Sequence, residues 1–260
     1  MTTAAPSTAT GPGRAHSARV ALFRNEARLL LREPAILIWA SIVPLTANVA
    51  MAILPAARRP QEALNGLSVW QTYLPVLIIF SLSMLAIQTM PAIVAGYREA
   101  GILRRLQTTP VRPAALLSAL LALVVAVGLV MAMLLVLVPL VWGNRIPGNP
   151  ITFALAVLLT LVCFVAVGAC VTAVAPSSRF AMGLATVVTI VIWFSAGLWV
   201  PRAVMPDWMA TICDVFPGGA ASTLFYEAMA GAWPSAQPLL VLAVWTATSV
   251  ALAVKLFRWG

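Results

Sequence analysis

Apolar positions run along this chain in blocks too long for a surface helix and too unbroken for half-buried strands. Six blocks stand out, at about 34–54, 71–95, 114–142, 151–174, 180–200 and 236–254. Each approaches or exceeds the ~20 apolar residues a helix needs to cross hydrocarbon. In lipid a single segment satisfies its own backbone donors and acceptors only as a helix. The expected fold class is therefore an all-α polytopic membrane protein with six transmembrane helices. Pro34, at the head of the first block, suits the first turn of a helix. That block is longer than the roughly 7–15 apolar residues of a signal peptide and its lead is too long, so no cleavage is expected.

The segments between blocks are as informative. Residues 1–16 are Thr, Ala, Pro, Ser and Gly with little to pack, a disordered tail. In 17–33, Val20, Phe23, Ala27 and Leu30 recur at helical spacing while Arg24, Arg28 and Arg32 share another face. This is an amphipathic basic helix suited to lying on anionic lipids as an interface helix, an ordinary juxtamembrane flank being the alternative. Residues 201–234 carry Asp207, Asp214 and Glu227 among Trp208, Phe216, Phe225, Tyr226 and Trp233. Pro and Gly interrupt this outer segment too often for a span, and two short outer helices, interfacial or re-entrant, are expected.

Charge then orients the blocks. With the N-terminus inside, the inner segments hold twelve basic residues: Arg14, Arg19, Arg24, Arg28, Arg32, Arg98, Arg104, Arg105, Arg112, Arg179, Lys255 and Arg258. The outer segments hold four, Arg58, Arg59, Arg145 and Arg202, completing the sixteen Lys and Arg of the chain. This bias places both termini on the cytoplasmic side of six spans. Composition agrees: 62% of residues are hydrophobic and 9% charged, against roughly 25% charged in soluble domains. The net charge of +9 reads as orientation, and no nucleic-acid motif accompanies it.

Several chemistries are excluded. The one lysine, Lys255, follows no glycine-rich loop, so these 260 residues hold no P-loop. His16 is the one histidine and lies in the tail, which removes histidine-based triads and His/Cys metal sites within the membrane. Cys163, Cys170 and Cys213 read as packing residues, with no structural disulfide expected. The expected spans hold no Asp or Glu, which counts against a proton-coupled carrier. Gln88 stands inside the second span; an interhelical hydrogen bond is its commoner role and a substrate contact the alternative.

The loop at 96–113 reads GYREAGILRRLQTTPVRP. The run from Tyr97 to Val111 resembles the loop of ABC-2 type transporter permeases, where an Arg-Glu-x-Gly-x-Leu-x-x-Leu pattern and a Thr-Pro-like pair follow the second span. Gly197-Leu198-Trp199-Val200-Pro201, Met205-Pro206 and Phe216-Pro217 are similar to the family's stretch between spans five and six. The likeness covers most of 17–258 and, within the family, leans toward bacterial drug and antibiotic exporters such as the daunorubicin type.

The resemblance implies a half-transporter in the bacterial cytoplasmic membrane, with the transmembrane domain at 34–260. It would bind no cofactor itself. Two copies of a separate ABC ATPase subunit, holding ATP and Mg, would work with this permease and a second copy or a homologue. Arg98, Glu99, Gly101, Leu103, Arg104 and Arg105 would form the ATPase-coupling element, with Arg98 and Glu99 candidates for salt links to the ATPase or the interface helix. The substrate path would draw on Tyr73, Ser81, Ser83 and Gln88 of span two and Thr186, Thr189, Trp193 and Ser195 of span five. A secondary transporter or channel without an ATPase, an exporter of a lipid-linked polymer, and a non-transporting scaffold or sensor are the competing readings.

Overall fold

A computed structural model describes residues 38–101, 113–144 and 147–256. Its elements are α1 (Ile38–Ile53), α2 (69–99), α3 (Pro113–Leu137), α4 (Pro150–Val174), α5 (Ser178–Ala196), α6 (Asp207–Asp214), α7 (Pro217–Met229) and α8 (Ala236–Leu256). No strand occurs among the described residues. The helices containing α2, α3, α4, α5 and α8 are long and apolar enough to cross a membrane. The described α1 is shorter, and its expected start at Pro34 lies outside the described residues. The molecule is an all-α polytopic membrane protein, with five helices long enough to span, α2 to α5 and α8, and the shorter apolar α1 among the described residues. Among the long ones, α2 is the most buried and α8 the least.

Local chemistry sets the helix ends. A capping box starts α2: Gln71 N–H donates to Ser68 Oγ (3.2 Å) and Ser68 N–H to Gln71 Oε1 (2.9 Å). Asn149 and Ser177 cap α4 and α5 by accepting from the Thr152 and Phe180 amides. The second span continues to Glu99, past the expected end at residue 95, so Tyr97, Arg98 and Glu99 are helical rather than loop. The fifth begins at Ser178, where Ser177 caps it, and ends at Gly197 in the left-handed region, shifting it from the expected 180–200.

Prolines within or just after three of these helices each remove a backbone donor, and a polar side chain from elsewhere meets the carbonyl left behind. A proline cannot donate to the carbonyl four residues before it. Pro44, Pro139 and Pro176 thus leave the carbonyls of Ala40, Leu135 and Thr172 without their usual donor. Ser81 Oγ donates to Ala40 (2.5 Å), Asn48 Nδ2 to Leu135 (2.6 Å) and Arg98 Nη2 to Thr172 (3.5 Å). Asn48 also accepts from Trp70 Nε1 (2.9 Å), so this fully buried amide joins α1, α2 and α3. Neighbouring helices restore what proline removes, as a bilayer requires.

Between α5 and α8 the chain forms two short helices, α6 and α7. Trp245 Nε1 donates to Val215 O (2.9 Å) at the turn between α6 and α7. From Ala236 to Trp245 is about 13 Å of helix rise, so this turn lies well along α8 rather than at its outer end. The C-terminal part of α7 returns outward, where Tyr226 Oη donates to Thr72 O (2.7 Å) and Asn149 N–H to Ala228 O (2.9 Å). Helix α7 enters the core through two glycines. A Cβ on Gly218 would lie 2.1 Å from Ile192 O, and one on Gly219 2.1 Å from Cys213 O. An ion pair between Arg202 and Asp214 ties α6 to the segment after α5.

Candidate functional site

The centre of α2 is π-helical over Met84–Thr89, a distortion concentrated at functional sites. Pro91 contributes, since it has no N–H for the carbonyl of Ile87. Thr89 Oγ1 donates to Met84 O (3.0 Å), a bond reaching five residues back. The widened turn presents different groups to two neighbours. Toward α4 it offers backbone: a Cβ on Gly168 would lie 2.0 Å from Ala86 O. Toward α5 it offers Gln88.

The α2–α5 contact is a polar ladder in an apolar setting. Gln88 Nε2 donates to Thr189 Oγ1 (3.0 Å) and Thr186 Oγ1 (3.3 Å). Further outward Trp193 Nε1 donates to Ser83 Oγ (2.8 Å), and its ring stacks on Phe80 with centroids 4.7 Å apart. Of the residues expected to line a path, Ser83, Gln88, Thr186, Thr189 and Trp193 are thus brought together. Tyr73, half-buried, lies outward of Phe80 on the same helix. Ser81 faces α1 instead, through its bond to Ala40. Ser195 is buried, donates to Ile192 O (3.0 Å) and abuts Gly218, so it packs the α5–α7 contact apart from the ladder.

Phe80 escaped the sequence reading. An aromatic residue in an apolar span carries no signal until its stacking partner is known. Beyond the ladder, an apolar cavity of ≈ 390 Å³ opens between α4, α5 and α8 under Phe216 and Trp245.

At the inner end of α2, Arg98 Nη1 donates to Ala175 O (2.9 Å) beside the Thr172 bond. The Glu99 carboxylate accepts from Ser178 N–H (2.8 Å) and Ser178 Oγ (2.7 Å). These two residues therefore hold the turn between α4 and α5. Gly101 follows at φ +66, with nothing within 4 Å of where a Cβ would sit. Its glycine serves the left-handed turn that ends the helix, not a close approach.

A family model described as ABC-2 type transporter matches residues 18–230, most of the chain. The chain belongs to the ABC-2 type transporter family. It is thus the membrane permease component of an ABC transporter, a multi-pass protein of a family that is not itself catalytic. No curated protein matches the chain. Of the coupling element expected for an ABC-2 permease, Arg98, Glu99 and Gly101 are placed as above, whereas Leu103, Arg104 and Arg105 lie outside the described residues. Arg24, Arg28 and Arg32 of the interface helix, and the tail at 1–16, lie outside them too.

Proposed function

We propose that this permease exports an amphipathic drug, antibiotic or lipid-like substrate across the bacterial cytoplasmic membrane, driven by two copies of a separate ABC ATPase. The observation that carries this reading is the α2–α5 ladder. It sets hydrogen-bonding groups and a tryptophan stack within a largely apolar surround, which suits an amphipathic cargo better than an ion. Along α5, Met182, Thr186, Ile190 and Phe194 recur every fourth residue and are exposed. A second permease copy covering that face would enclose the ladder between two chains, which supports a homodimer. ATP and Mg bind the partner subunit in this reading, and anionic lipids meet the basic N-terminal helix.

Reconstitution with its ATPase in liposomes, followed by a screen of amphipathic compounds, tests the proposal. Substrate-stimulated ATP hydrolysis is expected, together with ATP-dependent movement of the active compound. Movement without an ATPase would favour the secondary carrier or channel instead.

A further inference from the structure

The contacts of Arg98 and Glu99 link three spans at one point. Helix α4 ends at Val174 and α5 begins at Ser178, so one short turn carries the negative end of one helix dipole and the positive end of the next. These ends hold roughly half a charge each. Arg98 lies at the first, bonding the Ala175 and Thr172 carbonyls, the latter freed by Pro176. Glu99, the next residue, lies at the second, bonding both the amide and the hydroxyl of Ser178. Each charge meets the dipole end that attracts it. Beside the turn, Ala95 of α2, Ala175 and Ala181 of α5 form a small buried cluster, so the backbones are also closely packed. Two residues further on, Gly101 ends α2.

We infer that Arg98 and Glu99 form a joint through which displacement of the segment after Gly101 is passed to the α4–α5 turn, and so to α5 and its side of the ladder. This rests on the ATP-driven reading above for the source of the displacement. The geometry requires that α2 cannot shift or rotate at this end without breaking four hydrogen bonds or moving the turn. From Ser178 to Thr189 is about 16 Å of helix, a rigid arm reaching Gln88's partners. The pair makes these contacts within the permease, in addition to the salt links to the ATPase or the interface helix for which the resemblance makes it a candidate. Arg98 and Glu99 are positioning residues, since neither touches the ladder.

Two measurements test the joint, one of them independent of any ATPase. In the permease alone in lipid nanodiscs, hydrogen exchange is followed across Ser178–Ala181. Glu99→Gln and the milder Ser178→Ala are each expected to speed exchange there several-fold and to leave α8 unchanged. If neither variant alters exchange in the first turn of α5, the joint is wrong.

The second measurement uses the complex with its ATPase and reads thiol labelling at Val187→Cys, an exposed α5 position off the face assigned to the second copy, by mass spectrometry, with and without ATP. The parent's labelling rate should respond to ATP. Glu99→Gln should lose more than half of that response while ATP hydrolysis is retained, a split that a merely destabilised protein would not give. An undiminished response in Glu99→Gln overturns the joint. A parent that retains no ATPase, or shows no response, overturns the ATP-driven reading instead, and exchange then decides the joint. Should Glu99→Gln fail to fold, Ser178→Ala takes its place in both measurements.

Discussion

Helix α2 meets two neighbours from the same distorted turn, and the two contacts are built on opposite principles. Against α4 it places backbone on backbone: Ala86 O occupies the space where Gly168 would otherwise carry a side chain. Thr172 Oγ1, donating to Gly168 O (2.8 Å), keeps its hydroxyl within α4 rather than bridging the helices. Against α5 the contact is made by side chains, Gln88 to two threonines and Trp193 to Ser83. Backbone contact at that range has one geometry and no slack. Side-chain bonds between hydroxyls and amides re-form after a rotamer change at small cost, because the same groups find other partners in a membrane protein. The difference makes α2–α4 the more rigid of the two contacts and α2–α5 the one with more freedom to adjust.

The largest expected effect comes from breaking the more rigid contact. In Gly168→Val the new Cβ meets a backbone oxygen that no rotamer change can move. Overpacking of this kind costs about 1–3 kcal/mol where flexible side chains can yield, and here it should reach or exceed the upper figure. Gly168→Val should lower the unfolding midpoint in detergent by more than any ladder variant, or give no monodisperse protein. A normal midpoint would show that α4 is not held where α2 makes it.

A second test separates polar bonds that repair a helix from those that only join two side chains. Asn48 gives its amide N–H to the carbonyl that Pro139 leaves open. Asn48→Leu strands that carbonyl and the Trp70 indole, at about 1–2 kcal/mol. Pro139→Ala returns the missing backbone donor. In the double variant the penalty of Asn48→Leu should therefore shrink, which a double-mutant cycle on thermal midpoints would measure. A strictly additive cycle would mean that Asn48 does not stand in for the proline's absent N–H.

That pairing also shows how far the sequence could be read. The spans were visible because apolar runs of the required length record their solvent directly. The carbonyls of Ala40, Leu135 and Thr172 were visible too, each lying four residues before a proline. Their donors were not, since Ser81, Asn48 and Arg98 lie 41, 87 and 74 residues away in the chain. The tertiary fold alone brings them together. Gln88 and Trp193 were identifiable as polar and aromatic groups in spans expected to face each other. Ser195 was grouped with them by span, but Gly218 claims its face of α5 for α7. Arg98 and Glu99 were read as loop charges because the apolar run stops at Ala95, although the helix continues until Gly101 ends it.

The smallest expected effect on stability falls on the contact that the proposed substrate path uses. Gln88→Leu removes two hydrogen bonds to side-chain hydroxyls and orphans no backbone group. Thr186 and Thr189 already donate to carbonyls of their own helix, at 2.8 Å to Met182 and Ala185, so neither loses its remaining partner. Interhelical bonds of this type average ~0.6 kcal/mol, and the added leucine suits lipid, so the thermal midpoint should stay close to the parent's. Substrate-stimulated ATP hydrolysis in liposomes should nonetheless change if the proposed path holds, because the group that joins α2 to α5 and would meet a passing cargo is gone. A fall in stability as large as that of Gly168→Val would overturn the comparison, making the ladder a contact as rigid as α2–α4. An unchanged midpoint with unchanged stimulation would move the substrate path away from Gln88. A near-normal midpoint with altered stimulation is the result that the side-chain character of this contact requires.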